Sequence, residues 1–283
     1  MKRVLAALLM CFLLASSAAL AQGTITACGI TVDADAEAID FGEVKVTDLD
    51  ALTEMLDAMP HLTQVDMYAS RLKKQEMDML FNRYPQITFG WTYYVGDHLV
   101  RTDMTAFSTL HGDDPGHSEK DFQWLKFCKG LKAIDVGHNW ISDVSWLLHF
   151  PELKVLILAV GPLADITPLS QLTELEYLEL FTNRVTDISP LSQLTNLRDL
   201  NIKNNPVRDL SPLFGMTWLE RLWVGGERMR HLPQEQIDAL YAALPECEID
   251  WENQPTAGTW RTHPHYFTIY EMFHGTQYIP FNE

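Results

Sequence analysis

Cysteine and positive charge are what this chain has least of. Its 283 residues include 4 cysteines, and 21 lysines and arginines stand against 38 aspartates and glutamates, for a formal charge of −17. Nucleic acid and anionic membrane both require a basic face, so neither is expected as a partner. Acidity of this kind serves solubility before it serves binding. The local patterns that carry most enzyme chemistry are also missing. The mature chain has no Gly-x-Ser-x-Gly elbow, no glycine-rich phosphate loop and no His-Glu-x-x-His, and its serines fall mainly where structure explains them. No catalytic residue, cofactor or metal ligand is assigned.

The first residues have the three parts of a secretory signal peptide: Lys2 and Arg3, an apolar run from Val4 through Leu14, and Ala19-Leu20-Ala21 ahead of Gln22. Cleavage after Ala21 is expected, leaving a secreted or extracytoplasmic protein without stable membrane insertion. Retention as an anchor is the alternative, weakened by Ser16, Ser17 and many alanines. Ile25-Thr-Ala-Cys28 resembles a degenerate lipid-attachment box but lies too far beyond the apolar core. Cleavage removes two cations and no acid, taking the formal charge from −17 to −19. Cys28, Cys128 and Cys247 remain; an odd number cannot pair completely within a monomer, and buried thiols are expected at 128 and 247.

What the chain does have is a repeat. Units of 22 residues begin at Cys128, Phe150, Leu172, Leu194 and Met216, with apolar side chains at fixed offsets: Leu131, Ile134, Val136, then Leu153, Leu156, Leu158, and so on to Leu219, Leu222, Val224. Three residues beyond the last of each trio comes Asn139, Asn183 or Asn205, whose amide can pair with backbone groups left open where a strand turns away. Gly161 and Glu227 break that ladder. Asp143, Asp165, Asp187 and Asp209 follow, then Thr167-Pro168-Leu169, Ser189-Pro190-Leu191 and Ser211-Pro212-Leu213. Ser or Thr before Pro starts a short helical turn, with the hydroxyl expected as its cap. Twenty-two residues leave room for one strand and one 3₁₀ turn.

The Leu-x-x-Leu-x-Leu pattern is that of leucine-rich repeats, and the block 128–226 resembles the internalin type of bacteria, whose recurrent phrase T-D-I-S-P-L-S-Q-L-T-N-L stands here as Thr186 to Leu197. The whole organisation is similar to secreted leucine-rich-repeat proteins of gut bacteria. The resemblance implies an α/β fold: a right-handed leucine-rich-repeat solenoid, or horseshoe, with a parallel concave sheet, short 3₁₀ turns on the convex side and an extracellular recognition surface.

The flanks repeat one another too. Gln75 to Trp91 overlays Glu235 to Trp251 without a gap, matching Asp78 with Asp238, Leu80 with Leu240 and Pro85 with Pro245. Each reads as a helix running into a strand, with Met77, Leu80, Phe81 and Tyr84, or Ile237, Leu240, Tyr241 and Leu244, on one face. Leu49, Leu52, Leu56 and Met59 form a further helix ended by Pro60. Helical terminal units are expected because the ends of a solenoid must cover its core. The solenoid is accordingly drawn over 22–251, with 92–117 as an insertion on one edge of a continuous sheet and Gly96-Asp97 as a hairpin turn within it. The segment 252–283 is rich in aromatics and is expected to fold back as a cap.

Strand alternation points Tyr177, Glu179 and Phe181 onto the concave face when Leu178 and Leu180 point inward. Ile157, Lys203, Arg221 and Trp223 join them. Exposed aromatics beside an arginine are characteristic of interface hot spots, so these seven residues are the expected contact set for an extracellular protein or peptide. Cover by the aromatic tail or the insertion is the competing reading. A second function is a carbohydrate binder or glycan-processing enzyme, with Trp223 and Tyr177 stacking on sugars and Asp135 and Glu179 as paired carboxylates. A third is a structural envelope module tethered through Cys28. The histidine groups His111 with Asp113, Asp114 and His117, and His263 with His265, read as an ordinary turn and a docked tail.

Overall fold

A computed structural model describes residues 23–109, 116–251 and 259–281. The expected signal peptide, and His111, Asp113 and Asp114, lie outside the described residues. The chain divides into two compact units at Thr92 and Tyr93.

The first unit opens with an antiparallel hairpin, β1 (Thr24–Ala27) and β2 (Ile30–Asp33), turned by Cys28 and Gly29 in the left-handed region. Three parallel strands follow, β3 (Ala38–Asp40), β4 (Gln64–Asp66) and β5 (Thr88–Gly90), linked by α1 (Leu49–Asp57) and α2 (Lys74–Arg83). Asp48 caps α1 by accepting from the Ala51 N–H at 3.0 Å, and the helix buries Leu52, Met55 and Leu56. From α2, Met77 and Leu80 are buried, and Tyr84 donates its hydroxyl to Asp57 at 2.8 Å.

A hairpin of β6 (Thr92–Val95) and β7 (His98–Arg101), with Gly96 at φ 60 in its turn, follows, and all of it but Thr92 belongs to the second unit. Seven parallel strands then run in chain order: β8 (Ala106–Ser108), β9 (Ala133–Asp135), β10 (Val155–Ile157), β11 (Tyr177–Glu179), β12 (Asp199–Asn201), β13 (Arg221–Trp223) and β14 (Glu248–Asp250). Register is uniform, with Ile134, Leu156, Leu178, Leu200 and Leu222 abreast. Helix α3 (Glu119–Phe122) precedes β9, α4 (Gln234–Ala243) precedes β14, and α5 (Pro264–Gly275) forms the tail.

The units of the sheet are built as the spacing requires. Asn183 donates to the carbonyls of Leu158 and Leu180 at 2.7 and 3.0 Å and accepts from the Leu163 N–H at 3.1 Å; Asn205 repeats this one unit later. The residue before each, Thr182 or Asn204, is left-handed at φ 57 or 59, and His138 and Val160 take the same conformation. That turn carries the chain off the sheet, and the asparagine satisfies the backbone groups it opens. Among the described residues no helix is long and apolar enough to cross a membrane.

Four expectations are corrected. The parallel strands form two sheets, of three and seven strands, in place of one continuous sheet. The segment 92–117 contains the edge strand β8, whose Phe107 pairs with Ile134. The 3₁₀ turns are capped by aspartate and not by the Ser or Thr hydroxyl: Asp165, Asp187 and Asp209 accept from the N–H two residues on at 2.8 to 2.9 Å. A carboxylate two residues back reaches that amide, whereas the hydroxyl belongs to a residue already inside the turn. Finally, Tyr241 is 46% exposed on α4, not on its buried face.

Candidate functional site

The side chains that alternate out of β8 to β13 meet the tail. Trp260, at the start of that segment, lies over Tyr177 and Trp223, with ring centroids 5.5 and 5.6 Å away, and the Arg221 guanidinium sits 4.3 Å from its ring. Its indole N–H donates to Glu179 at 2.8 Å, and the Tyr177 hydroxyl donates to the same carboxylate oxygen. One strand further, Asp199 receives Arg221 on one oxygen and His265 on the other, both at 2.5 Å. Burial raises the Asp199 carboxyl, but the hydrogen bonds from His265 and Arg221 outweigh it and hold the group below its usual range. His263 caps α5 by accepting from the His265 N–H at 3.2 Å, with Pro264 at the first helical position. The carbonyl of Thr276 accepts from the amides of Thr105 and Ala106 at 3.2 Å, tying the end of α5 to the edge of the sheet. Ile269, Met272, Phe273 and Phe281 complete a second apolar core with Val155, Ile157 and Ala159.

The expected open contact surface is therefore corrected. Ile157, Tyr177, Glu179, Phe181, Lys203, Arg221 and Trp223 are all buried, at 7% exposure or less. The physical reason is the tail: aromatic groups on this sheet face are covered by the chain's own aromatic segment, which removes apolar surface from water on both sides.

The cover leaves a cavity beside it. Between β8 to β11 and α5 lies a cavity of about 50 Å³, with Asp135, Ile157, Glu179 and Phe181 on the sheet side and Arg261, Tyr266, Ile269, Tyr270 and Phe273 on the tail side. Asp135 and Glu179 are abreast with Ile157 between them, so their Cα atoms stand about 10 Å apart at ordinary strand spacing. Asp135 is fully buried; one oxygen accepts from the Gly137 N–H at 3.1 Å, and the other makes no hydrogen bond of ordinary geometry. Burial, with repulsion from Glu179 added, pushes its carboxyl up to about 7, against the pull of Gly137, Ser108 and Arg261. Burial also raises Glu179, partly offset by Tyr177, Trp260 and the charges of Arg261 and Arg221. Arg261 is the exposed cation beside both acids, with its guanidinium 5.6 Å from the Tyr266 ring.

Of the seven expected residues, Ile157, Glu179 and Phe181 line this cavity. Tyr177, Lys203, Arg221 and Trp223 instead sit beneath the tail or beside it. The tail was expected as a cap, but the residues it lends to the cavity were not named, though a signal was present: Tyr266, Ile269, Tyr270 and Phe273 follow the i, i+3, i+4, i+7 spacing of one helical face behind a proline start.

Comparison with known proteins agrees with the repeat reading. Residues 173–215 match the family model described as Leucine Rich repeats (2 copies). Together with this match, the parallel ladder and its 3₁₀ turns give the second unit the α/β fold of a leucine-rich-repeat solenoid. The chain is similar to two solved internalins from Listeria monocytogenes. InlF is 20% identical, with a TM-score of 0.43 over 78% of this chain and 57% of that one. Internalin C2 is 20% identical, with a TM-score of 0.36 over 70% and 77%. A leucine-rich-repeat protein of Leptospira interrogans is 18% identical, with a TM-score of 0.46 over 76% and 54%. The chain thus spans little more than half the length of the first of these. No curated protein matches it.

Proposed function

We propose that this chain is a secreted, non-enzymatic module that binds a protein or peptide, and that it takes a basic group of that partner into the concave-face cavity. The observation that carries this reading is the meeting of two buried carboxylates, Asp135 and Glu179, with the aromatic walls of Phe181, Tyr266 and Tyr270. An ammonium or guanidinium group there gains charge-assisted hydrogen bonds from the acids and attraction to the ring faces. Two buried carboxylates are kept at a place where a purely structural cover would favour apolar packing.

Glycan binding is the second reading, and the carboxylate pair favours it. The cavity holds roughly four waters at ~12 Å³ each, enough for a side-chain head group and too little for a sugar ring.

Calorimetric titration of the mature chain with Gly-Lys-Gly, Gly-Arg-Gly, Gly-Gln-Gly and a soluble oligosaccharide tests this. A basic tripeptide should bind at pH 8 at least tenfold more tightly than the glutamine one, and Asp135→Asn should remove the preference. Equal affinity for all three peptides sinks the reading; heat only with the oligosaccharide replaces it with the glycan one.

A further inference from the structure

Away from the concave face, the turn of the β6–β7 hairpin brings together three side chains of metal-binding type. Gly96 takes φ 60, and a Cβ there would run into the imidazole of His117, so the absence of a side chain lets that ring lie directly over the turn. Asp97 follows Gly96 in the same turn, and His98 opens β7. The sequence grouped His117 with His111, Asp113 and Asp114; the fold brings it instead to the hairpin twenty residues earlier.

Asp97 Oδ1 lies 2.9 Å from His117 Nε2 and 3.3 Å from His98 Nε2, and the three atoms are all within 4.8 Å of one another. In a tetrahedral zinc site with bonds of about 2.0 to 2.1 Å, ligand atoms stand roughly 3.3 Å apart. The two imidazoles are held by packing. His98 meets Phe107 edge-on at 5.9 Å, His117 meets Phe122 edge-on at 6.0 Å, and the two rings lie 5.6 Å apart and nearly perpendicular. The backbone N–H of His117 donates to Asn139, the first asparagine of the repeat ladder, at 2.6 Å. On the far side of the His117 ring, Nδ1 is 3.8 Å from the Asp121 carboxylate, the direction from which a carboxylate orients a ligating histidine. Side-chain exposure is 13% for His117, 16% for His98 and 62% for Asp97, so the pair of nitrogens is sheltered and the carboxylate faces water.

We propose that Asp97, His98 and His117 bind a zinc ion, with water at the fourth position. Two imidazoles with one carboxylate suit Zn²⁺ and its transition-metal neighbours, and disfavour Ca²⁺ and Mg²⁺, which take oxygen ligands. The ion fastens the β6–β7 hairpin to the segment that enters α3. An ordinary histidine–aspartate ion pair is the competing account, and it requires no metal.

The test uses the full mature chain stripped of metal by chelator and dialysis. Zn²⁺ is titrated against a chromophoric chelator, and Co²⁺ is added separately as a spectroscopic probe. One Zn²⁺ per chain and the visible absorption of tetrahedral Co²⁺ are expected. Asp97→Asn, at an exposed position that leaves the fold intact, should weaken Zn²⁺ at least tenfold; Asp121→Asn should weaken it about tenfold through the His117 ring; and His117→Gln should abolish it. Saturable Zn²⁺ binding that Asp97→Asn and His117→Gln both leave unchanged would place the ion elsewhere, for instance at His263 and His265, and overturn the proposal. Failure of the wild-type chain to bind Zn²⁺ would overturn it equally. Should His117→Gln not fold, Asp97→Asn with the Co²⁺ spectrum decides alone.

Discussion

Replacing Asp135 with asparagine should make the second unit less sensitive to alkali. In the folded chain this carboxyl titrates at about 7, against an ordinary 3.8. The folded state therefore holds a proton that the unfolded state has already released, and stability falls as pH rises between those two values. About three pH units at roughly 1.4 kcal/mol each make about 4 kcal/mol, fully present below pH 3.8 and gone above pH 7. At pH 5 about 2 kcal/mol of that is already lost, because the unfolded chain is largely ionised there. The wild type should thus lose about 2 to 3 kcal/mol between pH 5 and pH 8 from this group alone. Asparagine keeps the oxygen that accepts from Gly137 and carries no charge, so Asp135→Asn should lack that loss. Urea unfolding followed by tryptophan fluorescence reads the right unit, since Trp91 alone of the 8 tryptophans belongs to the first. With a slope of about 2 to 3 kcal/mol per molar, the difference is about 1 M in midpoint. Parallel pH profiles for the two proteins would mean that Asp135 ionises near its ordinary value, and the account of a desolvated acid would be wrong.

Two other perturbations follow from the same contacts. Trp260→Ala removes a side chain only 1% exposed from the centre of the concave core, together with a donor to Glu179, and should cost about 3 to 5 kcal/mol; limited proteolysis should then cut within the tail while the repeats stay intact. Asn183→Ala removes the donor to the Leu158 carbonyl and the acceptor for the Leu163 amide, while the Leu180 carbonyl keeps Asn205, and should cost about 2 to 4 kcal/mol by thermal unfolding, well above the effect of removing exposed Asn196.

The repeated strands were legible because a period of 22 residues leaves each of β9 to β13 one position in the register, and the leucines abreast of Leu178 settle which face is inward. The asparagine ladder was legible for the same reason, since Asn183 and Asn205 must follow the strand at a fixed distance. Strand β8 escaped notice because Ala106-Phe107-Ser108 carries one large apolar residue and no leucine, and only its pairing with Ile134 marks it. The burial of Tyr177 and Trp223 was not legible at all from the strands that bear them. Alternation says which way a side chain points; whether water or Trp260 is waiting there depends on a segment some forty to eighty residues away with no share in the repeat. The metal-type cluster failed similarly, as Asp97 and His98 meet His117 only through the hairpin turn.

Two acids on one sheet face explain where the tail grips and where it does not. At Asp199 both oxygens have partners, Arg221 from the sheet and His265 from the tail, and the carboxyl is held below its usual range. Its contribution is present above the ordinary aspartate value and lost as pH falls through the lower folded one. Two strands away from Glu179 on the other side, Asp135 keeps an oxygen without a hydrogen bond of ordinary geometry, and its carboxyl is raised. The tail is anchored at the first acid and open at the second. A cation entering the cavity would supply what Asp135 lacks and tighten the tail, stabilising the covered state in proportion to the logarithm of its concentration. A partner that needs the bare sheet must instead displace Trp260 and His265, and would loosen the tail as it binds. Hydrogen exchange across 264–275 separates the two, because the same segment becomes more protected in one case and less in the other.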